Sequence, residues 1–498
     1  MPIPNSGINN ISVFNSKTTN PNISNKNKPK KLISKNPIDF ICENYSVVKH
    51  IGDMMSNKLG NELFEKDRKI VESECRTMIL DYLKEKELLP IDALVAQYLK
   101  LIYDNILGLG MIQPLLDDKE IDEILVLDYN KIYVEKHGKL QLSPYRFPNY
   151  EAAYGVAKKI IEPLNRVLDV AHPNVDAQLQ DGSRLSATIP PLRANGAISL
   201  TIRKFKDKVE PLSFYAEKYK SSTPEMVKFI ETAVKSKISI IVSGGTGSGK
   251  TTLLNSCSLA IPKDERIITI EDTLELKLQQ ENVETYQTVE ENVEGKGGFS
   301  TQDIVKIALR KRPDRIIVGE CRGGEFVEML NAMNTGHDGS MSTVHSNSAK
   351  DFAQRAKTMV LSNPSTNNLE EDAIFNMINS AISLIIQTNR FEDGSRKITQ
   401  ITEIVGYGNE GYSKLREAGV LGPKAAVDKK KLYLQDIFKF TQTGVDPITK
   451  RVQGKFEAKG YKPMCVDKMN EKGYTFPDNF FEKRILLEVK WWIFYLKQ

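Results

Sequence analysis

The chain has 498 residues, which exceeds the usual size of a domain with a single hydrophobic core. This length predicts several domains. Hydrophobic residues make up 40% of it and charged residues 27%, which excludes a globally disordered protein. The net charge is +5, but residues 1–37 hold six lysines and no acid, so the remainder sums to 5 − 6 = −1. A near-neutral body does not favour a nucleic-acid-binding protein, which needs basic charge to neutralise phosphates.

The cysteines and the apolar runs predict where the protein resides. No two cysteines have the close spacing of a zinc site or a redox motif, which is typical of reduced thiols in a cytosol. No apolar run approaches the ~20 residues that span a bilayer, and the amino terminus lacks an apolar signal core. We therefore expect a cytoplasmic chain that is neither exported nor membrane-spanning.

The amino-terminal part divides into three predicted regions. Residues 1–37 are polar and rich in lysine and asparagine, which predicts a disordered tail. Residues 38–107 have helical periodicity and predict a small helical bundle. In residues 108–207, short apolar strands such as Ile124–Leu127 surround a predicted helix at Tyr154–Leu164. This third region is predicted to be a mixed α/β domain.

Residues 208–408 alternate apolar runs with helical stretches, a pattern typical of a largely parallel sheet flanked by helices. Residues 409–498 combine turn residues with short strands, and we treat them as a carboxyl-terminal extension. The fold class predicted from these patterns is α/β. The predicted central strands are Ile238–Val242, Ile267–Ile270, Ile316–Val318 and Leu384–Ile386.

A phosphate-binding loop follows the first of these strands. The segment Gly244–Thr251 matches the Walker A pattern, and an apolar helix start follows it. Its glycines allow several backbone N–H groups to face one anion. We predict that Lys250 reaches the β- and γ-phosphates of ATP and that the Thr251 hydroxyl binds Mg²⁺; the alternative is a glycine-rich turn that matches by chance. The predicted nucleotide-binding residues are Gly244, Gly245, Thr246, Gly247, Ser248, Gly249, Lys250, Thr251 and Thr252.

A candidate catalytic acid ends a later strand. Glu320 closes the apolar strand that begins at Arg315, and a helix predicted to start near Ser300 and stop at Pro313 precedes that strand. Open α/β sheets bind ligands at the carboxyl ends of their strands, which places Glu320 near the phosphates. The usual Walker B aspartate is absent, because Gly319 stands before Glu320. We expect Glu320 to act in catalysis and to contact Mg²⁺ through water.

Other acids can supply the missing magnesium contacts. Glu271 and Asp272 directly follow the strand Ile267–Ile270, so they are predicted to emerge at the same sheet edge, with Glu275 nearby. We predict catalytic and metal-binding roles for Glu271 and Asp272. The alternative is the capped start of a helix.

Two of the five histidines, His337 and His345, lie in the polar segment Thr335–Asn347. Zinc is not favoured, because neither has a partner at ligand spacing. A γ-phosphate sensor or a contact between subunits is one interpretation. Core histidines bonded to the backbone are the alternative, and the sequence does not separate the two.

Together, these motifs resemble the secretion ATPase superfamily of type II secretion, type IV pili and type IV secretion. Within it, the chain is most similar to the CpaF-like branch of Tad/Flp pilus-assembly ATPases. Four segments carry the resemblance in order: the Walker A loop, Ile270–Leu276 as the Asp box, Arg315–Glu320 as an atypical Walker B, and Thr335–Asn347 as the His box. The likeness extends over roughly residues 108–480.

The resemblance implies a RecA-like P-loop ATPase domain preceded by the smaller α/β domain. It also implies a homohexamer in which Arg184 and Arg203 of the preceding domain reach the phosphates. Peripheral association with an inner-membrane platform protein follows from the same likeness. Arg310 and Arg312 are further candidates for a phosphate contact, although an exposed basic helix end explains them equally well.

Three other functions remain open. A conjugation or effector-export ATPase would share every motif and differ only in its partner. A nucleic-acid motor is disfavoured by the charge of the body and by the lack of a basic, aromatic track. A nucleotide-binding scaffold without turnover is disfavoured by Glu320. The aromatic stretch 490–496 is expected to pack on its own domain more readily than on a membrane component.

Overall fold

The computed structural model describes residues 36–59, 68–86, 88, 94–136, 138–164, 166–179, 181–205, 209–289, 296–422 and 424–489. The predicted tail up to residue 35 and the aromatic stretch 490–496 lie outside these ranges. The chain divides into two compact units, residues 1–111 and 112–498. The predicted domain boundaries at 107, 207 and 408 remain predictions.

The first unit is helical in its described part. Helix α1 begins after Asn36, whose side chain accepts a hydrogen bond from the backbone N–H of Ile38 at 2.9 Å. Phe40 of this helix packs edge-on against Tyr98, with 5.1 Å between ring centroids. The unit buries the apolar faces of its helices, as their periodicity predicts. Its helices are α1 (Pro37–Glu43), α2 (Tyr45–Leu59), α3 (Arg68–Glu85) and α4 (Val95–Ile106).

The second unit begins with a six-stranded antiparallel sheet in the order β3-β2-β1-β6-β5-β4. Helix α6 accompanies it, capped by Asn149 and burying Ala153, Ala157 and Ile160. The elements are α5 (Gln113–Asp117), β1 (Ile121–Asp128), β2 (Lys131–Lys136), β3 (Lys139–Leu142), α6 (Tyr150–Ile161), β4 (Asn174–Gln178), β5 (Arg184–Thr188) and β6 (Ser199–Arg203).

A ten-stranded sheet forms the rest of the unit, in the order β16-β15-β14-β13-β12-β7-β11-β10-β8-β9. Strands β7 to β12 run parallel to one another, and β13 to β16 continue the sheet antiparallel. The strands are β7 (Ile240–Gly244), β8 (Ile267–Glu271), β9 (Val283–Gln287), β10 (Arg315–Cys321), β11 (Met341–Val344), β12 (Leu384–Arg390), β13 (Arg396–Tyr407), β14 (Leu432–Val445), β15 (Val452–Ala458) and β16 (Arg484–Val489).

Helices cover both faces of the parallel part, which explains why its strands are continuous apolar runs. Ile240 and Val242 of β7 face one core and Ile241 faces the other. The predicted α/β fold class is thus confirmed. The helices are α7 (Ser213–Glu217), α8 (Pro224–Lys235), α9 (Lys250–Ser258), α10 (Thr301–Ala308), α11 (Glu325–Asn334), α12 (Ala349–Ser362), α13 (Glu371–Ala381), α14 (Gly408–Glu417) and α15 (Cys465–Glu471).

The strands predicted for residues 409–498 extend the large sheet, because β14 pairs with β13 along most of its length. Within the described ranges, no helix combines the length and the apolar character needed to cross a membrane.

Candidate functional site

The phosphate-binding loop connects β7 to α9 at the carboxyl edge of the large sheet, where the parallel strands end. Gly247 and Gly249 have φ angles of +69° and +92°, which residues with side chains rarely adopt. A Cβ on Gly244 would lie 2.4 Å from the carbonyl oxygen of Thr388 on β12. The glycines therefore allow both the curl of the loop and its close approach to β12.

Helix α9 is fixed against the sheet. Leu253, Leu254 and Cys257 are buried in the same core as Ile240 and Val242 of β7. Its first-turn N–H groups have no carbonyl partner within the helix, because no turn precedes them. The helix dipole adds partial positive charge at this end, a combination that suits an anion. Thr251 and Thr252 lie in this first turn.

Lys250 and His345 meet beside the loop. The Lys250 Nζ donates to the Gly245 carbonyl at 3.2 Å and lies 3.2 Å from the Nε2 of His345. Burial lowers the pKa of Lys250, while Glu320 opposes that shift. Burial, and then the charge of Lys250, also lowers the pKa of His345. His345 is therefore close to the loop, as the sensor interpretation requires.

Glu320 lies near the end of β10, with the guanidinium of Arg322 and the imidazole of His345 beside it. The Nε and Nη2 atoms of Arg322 lie 2.8 and 2.5 Å from Glu320 Oε2. His345 Nε2 lies 2.7 Å from the other carboxylate oxygen, Oε1. The side chain of Glu320 remains 19% exposed. Its Oε1 atom is itself buried and makes no hydrogen bond to the described residues, so it can accept a hydrogen bond or a proton from a water molecule in the site.

The packing of Glu271 against Gly319 explains why the usual Walker B aspartate is absent. Val318 of β10 lies beside Ile270 of β8, so Gly319 lies beside Glu271. A Cβ on Gly319 would be 2.9 Å from the Glu271 Cγ. The Glu271 side chain thus fills the space that a Walker B side chain at 319 would need.

The Glu271 carboxylate is already bonded to the backbone. It accepts hydrogen bonds from the N–H groups of Glu275 and Leu276, at 2.9 and 3.0 Å from Oε1. Burial raises its pKa to about 7, although the two hydrogen bonds act in the opposite direction. Residues 272–282 contain no helix, so the alternative of a capped helix start is wrong. The carboxylate instead folds the segment after β8.

Asp272 and Arg184 flank that same segment. Asp272 is exposed, and its Oδ1 accepts a hydrogen bond from Thr301 Oγ1 at 3.1 Å. Arg184 Nη2 donates to the Thr273 carbonyl at 2.9 Å and lies 3.1 Å from Glu275 Oε1. The smaller sheet thus contacts the carboxyl edge of the larger one within one chain.

Arg203 lies opposite Arg184 on the neighbouring strand of the smaller sheet. It is exposed, and its charge contributes to the lowered pKa of Lys250, after the larger effect of burial. In the part of the chain that the structure describes, the Arg203 side chain makes no hydrogen bond, and Glu123 lies opposite it on β1. Arg203 is therefore available to a ligand at the loop.

His337 lies away from the loop. It precedes β11 at the amino edge of the sheet, where the parallel strands begin, and its Nδ1 is 3.2 Å from the Ala332 carbonyl. The prediction that His337 senses the γ-phosphate at the loop of its own chain is therefore wrong, because the length of β11 separates His337 from that loop. Arg310 and Arg312 precede β10 at the same amino edge. A contact with a neighbouring subunit stays a prediction for all three.

Four further residues surround the site, and the sequence analysis did not predict them. Arg322 holds Glu320, while Arg390 and Arg396 lie against the loop together with Glu135. The sequence does signal Arg322, which stands two residues after the catalytic candidate. It does not signal the other three, because the order of the strands brings them together.

The chain matches known proteins across this part of the fold. Residues 106–420 match the model of the type II/IV secretion system protein family. The conjugal transfer protein TrbB of Rhizobium radiobacter is 30% identical over 60% of this chain and 88% of its own length. The type IV secretion system protein VirB11 of Bartonella quintana is 30% identical over 58% and 90%, respectively.

A crystal structure of the VirB11 ATPase from the Brucella suis type IV secretion system is 28% identical. It covers 58% of this chain and 91% of that chain, with a TM-score of 0.33. The specific likeness to the Tad/Flp branch is not distinguished by these matches. The family match includes the phosphate-binding loop and Glu320, and extends over most of the chain. The chain therefore belongs to the type II/IV secretion system protein family and is, as its motifs predicted, an ATPase.

Proposed function

We propose that the chain is a homohexameric motor that couples ATP hydrolysis to a secretion or pilus-assembly machine. It would act in the cytoplasm, peripherally at the inner face of the cytoplasmic membrane. The observation that carries this proposal is the convergence of Lys250, Glu320 and His345 at the carboxyl edge beside the loop. A binding module would need the lysine but not the acid.

The roles of the groups follow from their positions. Loop N–H groups and Lys250 hold the β- and γ-phosphates, and Arg203 adds positive charge from the smaller sheet. Glu320 accepts a hydrogen bond from the water that attacks the γ-phosphorus, and takes its proton as the bond to the ADP oxygen breaks. Burial of Lys250 strengthens its attraction for phosphate because less water screens it.

The residues present fit Mg²⁺, because the first turn of α9 provides the Thr251 hydroxyl and carboxylates line the same edge. Bound there, Mg²⁺ would neutralise charge on the phosphates. Thr251 is the proposed direct ligand. Glu320 and Asp272 are proposed to contact the ion through water, whereas Glu271 would have to exchange its backbone hydrogen bonds to do so.

The proposed hexamer would complete the charge around the phosphates. Arg184 is occupied by Glu275 in this chain, which leaves Arg203 and arginines from a neighbour as candidates. An arginine at the γ-phosphate contributes roughly 10³ to 10⁵ in rate in P-loop enzymes. Activity per subunit should therefore rise with protein concentration as rings assemble. Constant specific activity across assembly would contradict shared sites.

Two machines are candidates for the partner. The motif resemblance favours a Tad/Flp-type pilus with its inner-membrane platform protein. The names of the relatives from Rhizobium radiobacter and Bartonella quintana instead favour conjugation or effector export by a type IV secretion system. Affinity capture with the chain as bait separates them, since one predicts a pilus platform protein and the other a translocation channel.

The test of the motor is Mg²⁺-dependent ATP hydrolysis by the whole chain, with mass measured by light scattering in the same samples. We expect turnover from particles of about six subunits and its loss in Lys250→Ala and Glu320→Gln. Nucleotide binding with equal, negligible turnover in wild type and Glu320→Gln would favour the scaffold. Stimulation of turnover by single-stranded DNA would favour the nucleic-acid motor.

A further inference from the structure

Two arginines of one hairpin flank the phosphate-binding loop. Arg390 ends β12 and Arg396 begins β13, and the two lie directly opposite each other. Arg396 Nε donates to the carbonyl of Gly247 at 2.8 Å. Arg390 approaches the same residue, because a Cβ on Gly247 would lie 3.1 Å from its Nη1. The hairpin thus supports the loop from outside.

The smaller sheet supplies the counter-charge. Glu135 on β2 is buried, and its Oε1 lies 3.1 Å from Arg390 Nη2 and 3.8 Å from Arg396 Nη2. Arg390 Nη2 also donates to the Gly138 carbonyl at 2.6 Å. A Cβ on Gly138 would lie 3.0 Å from the Gly394 carbonyl, so the turns of the two hairpins touch.

The bond to Gly247 fixes more than one atom. A peptide unit is planar and trans, so the N–H of Ser248 points away from the Gly247 carbonyl that Arg396 holds. That N–H donates a hydrogen bond to the Gly245 carbonyl across the turn, with 3.3 Å between N and O. The guanidinium of Arg396 therefore supports the peptide unit whose N–H closes the turn of the segment predicted to receive phosphate.

Glu135 makes this arrangement electrostatically stable. The guanidinium groups of Arg390 and Arg396 lie side by side and repel each other. A buried carboxylate between the two arginines offsets that repulsion and holds both in place. Without it, Arg390 and Arg396 would gain by turning toward solvent, and Gly247 would lose its support.

We propose that Glu135 is a positioning residue for the phosphate-binding loop, acting through Arg396 and Arg390 to hold Gly247 in its binding conformation. The inference rests on the proposed function, in which this loop binds ATP. Nucleotide affinity then depends on contact between the smaller sheet and the hairpin. By thermodynamic linkage, bound nucleotide strengthens that contact in return.

The experiment measures the Kd of a fluorescent ADP analogue for the whole chain by titration. Glu135→Gln keeps the shape of the side chain and removes its charge, and should weaken binding about tenfold, as coupled charged residues do. Arg396→Gln should weaken it by a similar factor. If Glu135 acts through Arg396, the double variant should bind no more weakly than Arg396→Gln alone.

A matched control separates this effect from a general loss of charge. Glu120→Gln removes a carboxylate that pairs with Lys136 beside the same strand and contacts neither arginine. It should leave the Kd unchanged within about twofold, as exposed ion pairs contribute little. ATP hydrolysis should show a raised KM for Glu135→Gln with a smaller change in kcat.

The outcomes distinguish the two proposals. A wild-type chain that binds no nucleotide would contradict the proposed function. Wild-type binding with an unchanged Kd in Glu135→Gln, or losses that add in the double variant, would overturn the positioning role. If circular dichroism shows that Glu135→Gln is unfolded, the Kd of Arg396→Gln decides, because this variant leaves the Glu135–Arg390 pair in place. An unchanged Kd in Arg396→Gln would then overturn the positioning role.

Discussion

The two edges of the parallel sheet carry the same residue types in opposite arrangements. At the amino edge, Arg315 is fully buried and its guanidinium binds Glu265 through Nε and Nη2, at 2.5 and 3.1 Å. At the carboxyl edge, Glu320 is partly exposed between Arg322 and His345. The first pair is closed and satisfied, whereas the second has partners that a ligand can replace.

The two histidines of the polar segment show the same difference between the amino and carboxyl edges. His337 at the amino edge is bonded to a backbone carbonyl, and His345 at the carboxyl edge meets a lysine and a carboxylate. Residue type and local sequence do not distinguish the two histidines. The end of the strand at which each one lies does, because parallel strands direct their carboxyl ends toward the ligand.

The largest expected effect is the loss of catalysis at the carboxyl edge. Glu320→Gln should lower kcat about 10²- to 10⁴-fold, the range typical of a positioned base. Its melting temperature should stay near that of the wild type, because the side chain is partly exposed. Steady-state ATPase assays with saturating Mg²⁺ and ATP test this, and a retained kcat would remove Glu320 from the mechanism.

The corresponding change at the amino edge should destabilise the fold. Glu265→Gln leaves the charge of Arg315 buried without its counter-ion, and such a loss costs about 3–5 kcal/mol. The midpoint of denaturant unfolding, followed by circular dichroism, measures it. An unchanged midpoint would show that the pair is not a structural element.

Glu284→Gln is the matched control for this edge. Glu284 pairs with Arg266 and Lys311, but its side chain is 35% exposed. An exposed pair of this kind contributes about 1 kcal/mol or less. The contrast between the two glutamates tests burial directly, since the substitution is the same.

A third prediction concerns the missing Walker B aspartate. Gly319→Asp places a Cβ 2.9 Å from the Glu271 Cγ, and overpacking of this kind costs up to about 3 kcal/mol. Restoring the common acid should therefore lower both stability and activity. Glu271→Ala has a cost of its own, because the N–H groups of Glu275 and Leu276 lose their acceptor. Adding Gly319→Asp to Glu271→Ala should nevertheless cost less stability than adding it to the wild type, because the space beside position 319 is then free.

Thermal unfolding of both single variants and of the double variant measures this difference, and ATPase assays follow the activity. Gly155→Ala is a suitable control, because a Cβ there meets nothing within 4 Å and the position is inside helix α6. That control should be neutral or stabilising. An equal cost of Gly319→Asp in the wild type and in Glu271→Ala would show that Glu271 is not the obstacle.

Local pattern was sufficient to predict the parallel strands, the loop and the position of Glu320. Apolar runs with adjoining glycine and acid are local signals, and the strand edge follows from the general rule for α/β sheets. The roles of single site residues remain predictions. The sequence did not show at which edge of the parallel sheet His337 lies, because a polar segment between a helix and a strand does not indicate where the strand begins.

Contacts between distant segments were also beyond sequence reasoning. Glu135 and Arg390 are 255 residues apart and meet only because β12 lies beside β7 and the smaller sheet contacts the β12–β13 hairpin. The space that Gly319 leaves for Glu271 depends on the pairing of β8 with β10. Strand order and side-chain packing are tertiary properties that propensity does not encode.

The smallest expected effect is the pH dependence of stability from Glu271. Burial raises the pKa of this carboxyl from about 4.5 to about 7 in the folded chain, so the folded state binds the proton more tightly than the unfolded one. As pH rises from 4.5 toward 7, the unfolded chain releases its proton first and the folded state loses relative stability. The loss between pH 5 and pH 8 should be about 2 kcal/mol.

Melting temperatures of the wild type and Glu271→Gln at pH 5, 6, 7 and 8 test this prediction. The amide oxygen of the variant can still accept from the N–H groups of Glu275 and Leu276, but no proton leaves it. Groups shared by both proteins cancel in the comparison, so the wild type alone should lose additional stability toward pH 8. Parallel curves would mean that Glu271 is ionised throughout. Its carboxylate would then be a permanent negative charge beside Gly319, in the position that the absent aspartate usually takes.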